Sequence, residues 1–226
     1  MTGIAALVFD LDGTLIDSRR DIRTAVNRMR AELGLGPLGL DEVAAMVGEG
    51  ARVLVRRAVA GELPKGRFAA AVASYLAHYS EVLLETTTPY PGIPAMLAEL
   101  APAVKLAVLS NKGEEPSRRI LAGLGLATHL AEIVGGDTLP TRKPNPGGLF
   151  LLADRLATPV ERLVMVGDSR IDAETAAAAG CPFALVLWGG GRPPLPGSAE
   201  VAARWRFSRP AEVAAAFGGA NGELEG

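Results

Sequence analysis

Residues Ala6–Ser18 read ALVFDLDGTLIDS: four apolar residues run unbroken into Asp10, and a second carboxylate, Asp12, follows ahead of Gly13 and Thr14. A short apolar run without alternation marks a strand buried on both faces, as in a parallel sheet, rather than a half-wet antiparallel one. Two like charges at its carboxyl end repel each other, so their presence there needs a chemical use.

The same pattern recurs downstream. VKLAVLSN (104–111), AEIVGGD (131–137), RLVMVGDS (162–169) and FALVLWGG (183–190) are Val, Leu and Ile-rich runs that end on small or polar residues. Segments of helical periodicity separate them, at about 95–101, 115–123, 147–156 and 171–179. Strand and helix alternate as right-handed crossovers require, which predicts an α/β fold with a doubly wound, Rossmann-like parallel sheet. A last weak strand at Arg204–Phe207 and a helix at Pro210–Phe217 complete it, followed by a Gly-rich tail from Gly218 expected to be disordered.

The alternation breaks once. Between Ser18 and Thr86 only helical patterns occur, in DIRTAVNRMRAELG (21–34), LDEVAAMVGEGARVLVRRAVAG (40–61) and GRFAAAVASYLAHYSEVLLE (66–85). The reading is an all-helical insertion, a cap over residues 17–88 set into a core of residues 1–16 and 89–226. Leu15–Ser18 and Thr86–Gly92 serve as its two connecting strands. Asp17 and Ser18 either serve the hinge or, the favoured reading, one of them caps the first cap helix with Asp21 as its partner.

Composition narrows the function classes. With 226 residues, 49% of them hydrophobic, the chain can bury one good-sized core plus an inserted subdomain. Its net charge of -2 and the lack of a basic run argue against nucleic acid as a partner. No signal peptide and no apolar run of membrane-spanning length is read, so the cytoplasm is the expected location. The single cysteine, Cys181, excludes an internal disulfide and is assigned to packing. His78 and His129 stand alone and are assigned surface or packing roles.

In open α/β sheets ligands bind beyond the carboxyl ends of the strands. There the sequence places Asp10, Asp12, Ser110, Asn111 and Asp168, with Lys143 from the loop TRKPNP (141–146). Three carboxylates at one rim oppose folding unless a cation neutralises them, and all-oxygen ligands favour a hard divalent ion such as Mg2+. Mg2+ commonly shares its shell with water and substrate phosphate, which points to phosphoryl chemistry. Asp10 is the candidate nucleophile and Asp12 the acid and base, with its backbone carbonyl also available to the metal. Gly13 and Thr14 turn the chain so that backbone amides meet the phosphate, Ser110 and Asn111 hold its other oxygens, and Lys143 supplies positive charge. Asp10, Asp12 and Asp168 form the candidate metal set. Asp172 has three readings: a further ligand, a contact through water, or a charge favouring the N-terminus of its helix.

FDLDGTLIDS (9–18), LSNK (109–112), KPNP (143–146) and VGDSRID (166–172) resemble the four successive signatures of the haloacid dehalogenase superfamily, in order and spacing, over essentially the whole chain. The resemblance implies a Mg2+-dependent phosphomonoester hydrolase working through an aspartyl phosphate on Asp10. It also implies Asp12 as acid and base, Ser110 and Lys143 as phosphate binders, and Asp10, Asp12 and Asp168 around the metal. Ser110 stands where Thr is common and Ile171 where Asn is frequent, the second leaving that loop's part in metal binding open. The insert is similar to the helical cap of the subfamily containing phosphoglycolate phosphatases, which makes 2-phosphoglycolate the expected substrate. Pyrophosphate, a nucleotide, a sugar phosphate or a phosphosugar mutase reaction would use the same core, and a non-catalytic phosphate-ligand or partner-binding module is the reading of another class. Dehalogenase chemistry is disfavoured, because Asp12 would have no leaving group to protonate. The expected partner is a small phosphorylated metabolite, and the chain a monomer or homodimer. In VGEGAR (47–52), Arg52 or backbone amides could face a substrate carboxylate, or the segment is a plain turn with a solvated arginine. WGGGRPPLPG (188–197) is read as a flexible loop beside the cleft.

Overall fold

The computed structural model describes residues 3–61, 63, 66–189 and 203–219. The opening run forms β1 (Ala6–Phe9), and the chain then leaves through β2 (Ile16–Asp17) and returns through β3 (Thr88–Pro89), which pair antiparallel with Ile16 opposite Pro89. Between them lie α1 (Arg19–Glu32), α2 (Leu40–Ala44), α3 (Ala51–Val59) and α4 (Phe68–Val82). The rest of the chain runs α5 (Ile93–Leu100), β4 (Lys105–Leu109), α6 (Glu114–Gly123), β5 (Glu132–Val134), α7 (Gly147–Arg155), β6 (Leu163–Gly167), α8 (Arg170–Ala179), β7 (Phe183–Val186), β8 (Trp205–Phe207) and α9 (Pro210–Phe217). Six strands form one parallel sheet in the order β5–β4–β1–β6–β7–β8.

Both faces of this sheet are covered, which is why its strands read as unbroken apolar runs. In β1, Leu7 and Phe9 enter one core while Ala6 and Val8 enter the other, all four inaccessible to solvent. On the first face lie Ile93 and Leu97 of α5, Ile120 of α6 and Val213 of α9, and on the second Leu149 and Leu152 of α7 and Ala176 of α8. Strand β1 sits at the centre, paired to β4 and β6 with Phe9 level with both Val108 and Val166. The residues that follow these three strands therefore emerge side by side at one edge.

The helices between β2 and β3 bury their own apolar stripe. Ile22, Val26 and Met29 of α1 join Tyr75, Tyr79 and Val82 of α4 in a cluster continuous with the first face of the sheet. Arg30, on the same helix, is buried because its guanidinium donates to Gly36 O at 2.6 Å and to Ala58 O, tying the α1 exit to the end of α3.

Three expectations need correction. The connecting strands are only two residues each, not Leu15–Ser18 and Thr86–Gly92. Ser18 occupies the N-cap position of α1 but its hydroxyl makes no capping bond, donating instead to Asp12 Oδ1 at 2.5 Å, and it is Asp17 that accepts from the first helical amide, Arg19 N–H, at 3.2 Å. Asp21 is not its capping partner: its carboxylate takes the backbone N–H and hydroxyl groups of Thr86 and Thr87, clasping the return strand. Of the loop at 188–197, only Trp188 and Gly189 are among the described residues, and all of the Gly-rich tail beyond Gly219 lies outside them. Among the described residues no helix is long and apolar enough to cross a membrane.

Candidate active site

Asp10 follows β1 directly, and its N–H donates to Val166 O at 2.9 Å, so the neighbouring strand fixes its backbone. Its side chain points to Lys143, with Nζ 2.8 Å from Oδ1. The same ammonium lies 2.6 Å from Asp172 Oδ1, and all three side chains are buried. Burial pushes the Asp10 carboxyl up to about 6; Lys143 opposes this, while Asp172 and Asp12 add to it. For Lys143 burial alone favours the neutral amine, but Asp10 and Asp172 outweigh it and hold the ammonium above its ordinary value.

Asp168 directly follows β6 and Asp172 lies in the first turn of α8. Ser169 caps that helix by accepting from Asp172 N–H, and the Asp172 carboxylate accepts from Ser169 N–H and Oγ, closing a capping box. Asp172 thus serves its helix N-terminus as one of its readings supposed, and beyond that it carries the ion pair to Lys143. Gly13, at φ +92, brings the turn after Asp12 against Asp168: a Cβ there would lie 2.4 Å from Asp168 Oδ2.

Asp10, Asp168 and Asp172 each offer a carboxylate oxygen, and these oxygens lie within 4.8 Å of one another. Lys143 balances only one of the three negative charges. An all-oxygen donor set with uncompensated charge fits a hard divalent cation. The side chain of Asp12 is not in this cluster.

Asp12 turns the other way. Its Oδ1 accepts from Ser18 Oγ and, at 2.7 Å, from Lys112 Nζ. Lys112 also donates to the Tyr79 hydroxyl of α4 at 2.6 Å and lies 4.8 Å from the centre of that ring. Burial pushes the Tyr79 phenol well above its usual value, so it stays a neutral hydroxyl. Sequence reasoning passed over Lys112, Tyr79 and Ser18 as site residues. Lys112 stands inside the quoted LSNK motif, but no spacing rule pairs it with a tyrosine on a distant helix.

A cavity of about 330 Å³ opens between the strand ends and the helices α1, α3 and α4. Asp10, Asp12, Ser110 and Asn111 line it, and Gly13, Thr14, Lys143 and Asp168 are not among its lining residues. Thr14 is fully buried, with its carbonyl accepting from Trp188 Nε1 at 2.8 Å and its hydroxyl unpartnered. The Ser110 hydroxyl accepts from Lys112 N–H at 3.2 Å, so its own proton is available to a ligand. Asn111 departs from expectation: its amide donates to Gly48 O at 2.9 Å and Lys143 O at 3.0 Å, bridging the α2–α3 turn and the lysine loop. Both amide protons are thereby committed to carbonyls rather than to a phosphate oxygen. Arg52 is exposed, stacks over Phe68 at 5.4 Å and does not line the cavity, whereas Gly48, Gly50 and Ala51 of the same segment do. His78 bonds Glu32 at 2.7 Å and Cys181 is buried and free, as their packing roles required.

The comparisons agree with this geometry. The sequence pattern of haloacid dehalogenase-like hydrolases matches residues 7–186. A phosphoglycolate phosphatase from Rhodospirillum rubrum is 42% identical over 198 residues, covering 84% of this chain and 82% of the relative. One from Cereibacter sphaeroides is 43% identical over 187 residues, covering 81% and 85%. The solved structure of a predicted phosphoglycolate phosphatase from Haemophilus somnus superposes with a TM-score of 0.86 at 29% identity, covering 94% of this chain and 97% of that one. Fold, carboxylate cluster and sequence likeness together make the chain a member of the haloacid dehalogenase-like hydrolases.

Proposed function

We propose that the chain is a Mg2+-dependent phosphatase that hydrolyses 2-phosphoglycolate to glycolate and phosphate. The observation that carries the reading is the divergence of the two motif carboxylates. Both line the cavity, but Asp10 belongs to the cation-seeking cluster and pairs with Lys143, while Asp12 pairs with Lys112 and Ser18. That difference in surroundings supports Asp10 for the attack on phosphorus and Asp12 for the oxygen that leaves it.

In the first step an Asp10 carboxylate oxygen attacks phosphorus, the bond from phosphorus to the ester oxygen breaks, and Asp12 protonates that oxygen as glycolate departs. In the second, water attacks the phosphorus of the aspartyl phosphate, Asp12 takes its proton, and Asp10 is regenerated as phosphate leaves. Lys143 and the Ser110 hydroxyl offset the negative charge on the phosphoryl oxygens in both steps. Asp10, Asp168 and the backbone carbonyl of Asp12 would hold the metal, with Asp172 as a further candidate. When bound, the ion supplies charge neutralisation for the phosphoryl group.

We assign residues 17–88 to a cap and the remainder to the core. The β2–β3 pair, through which both crossings pass, supports that division. The names of the relatives support the substrate. The test is phosphate release from a panel of phosphoesters and pyrophosphate, with and without Mg2+. Selective, metal-dependent release from 2-phosphoglycolate is expected; equal or better turnover of nucleotide or sugar phosphates would overturn the substrate, and no metal-dependent release would overturn the activity.

A further inference from the structure

The aspartates account for phosphate transfer but not for how a small acid is told from any other ester. Among the described residues that line the cavity, Lys112 is the single cation. The cap side of the wall is apolar at Ile22 and Leu54, and where it is polar, at the Tyr75 and Ser80 hydroxyls and the Gly48, Gly50 and Ala51 backbone, it carries no charge. Arg52 and Arg142 are exposed and do not line the cavity.

The position of Lys112 is as specific as its charge. Its side chain is 7% exposed and its Nζ lies 2.7 Å from Asp12 Oδ1, the group assigned to the leaving oxygen. A substituent on the carbon next to that oxygen therefore falls within reach of the same ammonium. An ammonium has three N–H donors. Two are engaged, by Asp12 and by the Tyr79 hydroxyl, and no third acceptor is present among the described residues. Tyr79, from α4, holds the Lys112 head in the gap between core and cap.

We propose that Lys112 is the specificity-determining residue, with its ammonium receiving a carboxylate carried on the carbon adjacent to the ester oxygen. The enzyme then selects 2-phospho hydroxy acids over neutral phosphate esters of the same size. This rests on the phosphatase reading above and adds to it the group that reads the acid.

The test compares kcat/KM for 2-phosphoglycolate, for ethyl phosphate, which lacks the carboxylate, and for 3-phosphooxypropionate, which carries it one carbon further. The wild-type protein is expected to prefer 2-phosphoglycolate over ethyl phosphate by about 10²-fold or more, the scale of a desolvated charge pair, and over the longer acid as well. In Lys112→Met the preference over ethyl phosphate is expected to fall to within about tenfold, with Lys112→Arg retaining part of it, thermal unfolding confirming that each variant folds. A role confined to positioning Asp12 would lower both substrates by the same factor and leave the ratio intact, which would overturn the proposal. So would a wild-type protein that hydrolyses all three esters alike, a result that needs no variant and leaves the phosphatase activity standing. Failure to hydrolyse any of them would instead remove the phosphatase reading on which the proposal rests.

Discussion

Asp21 offers a sharp test of how the helical insert is fastened. Its carboxylate, 1% exposed, receives Thr86 N–H at 3.0 Å, Thr86 Oγ1 at 2.5 Å, Thr87 N–H at 2.8 Å and Thr87 Oγ1 at 2.6 Å. Asp21→Ala removes every acceptor at once. The hydroxyls can rotate toward other partners, and Thr86 is exposed, so water can reach its amide. Thr87 is 3% exposed and its amide is left buried and unpaired. An orphaned buried amide costs about 1–3 kcal/mol and a lost hydrogen bond at a solvated amide about 1 kcal/mol, for a sum of about 2–4 kcal/mol. Thr87→Val, which removes one hydroxyl and leaves the carboxylate its remaining donors, should cost about 1 kcal/mol. Urea unfolding followed by circular dichroism measures both, with the midpoint shifted and the slope preserved. An Asp21→Ala protein within about 0.5 kcal/mol of wild type would refute the clasp, since so small a loss is what an ordinary surface acid gives.

Other perturbations follow from single contacts. Gly13→Ala forces a Cβ to within 2.4 Å of Asp168 Oδ2 at a φ of +92, and the resulting displacement of that carboxylate should lower kcat/KM by about 10²-fold; activity near wild type would show that the turn has room to spare. Burial pushes the Cys181 thiol from 9.0 up to about 11. The unfolded chain then loses that proton at lower pH than the folded one, so the contribution is intact below pH 9.0 and is lost as pH rises toward about 11, by up to about 2 kcal/mol. Urea midpoints of wild type and Cys181→Ala across that range should converge as pH rises; a constant difference would contradict the shift.

What the sequence disclosed, and what it hid, divides along local and non-local lines. Parallel strands were readable because β1, β4 and β6 are buried on both faces, and the insert was readable because its helices keep their apolar period. Asp10, Asp12, Ser110 and Asp168 could be singled out because each follows a strand, and a parallel sheet delivers strand ends to one rim. Roles set by distant partners could not. Ser18 and Asp21 carry the local pattern of a helix start, yet the first serves Asp12 and the second serves Thr86 and Thr87. Arg30, a charged residue of α1, is buried because two carbonyls from other segments accept its protons, a partnership no local pattern signals. Asn111 has the right type for a phosphate contact, and only the fold reveals that Gly48 and Lys143 already take its amide protons. Lys112 became visible as a site residue only once α4 brought Tyr79 across the cavity.

The role of Asp10 as nucleophile is tested by phosphate release from Asp10→Asn beside an acid quench of the wild-type protein turning over ³²P-labelled 2-phosphoglycolate with Mg2+. A loss of about 10⁴-fold or more is expected in the variant, with cooperative unfolding retained, together with protein-bound label in the wild type that maps to the peptide containing Asp10. Turnover by Asp10→Asn within tenfold of wild type, or label mapping to another residue, would contradict it.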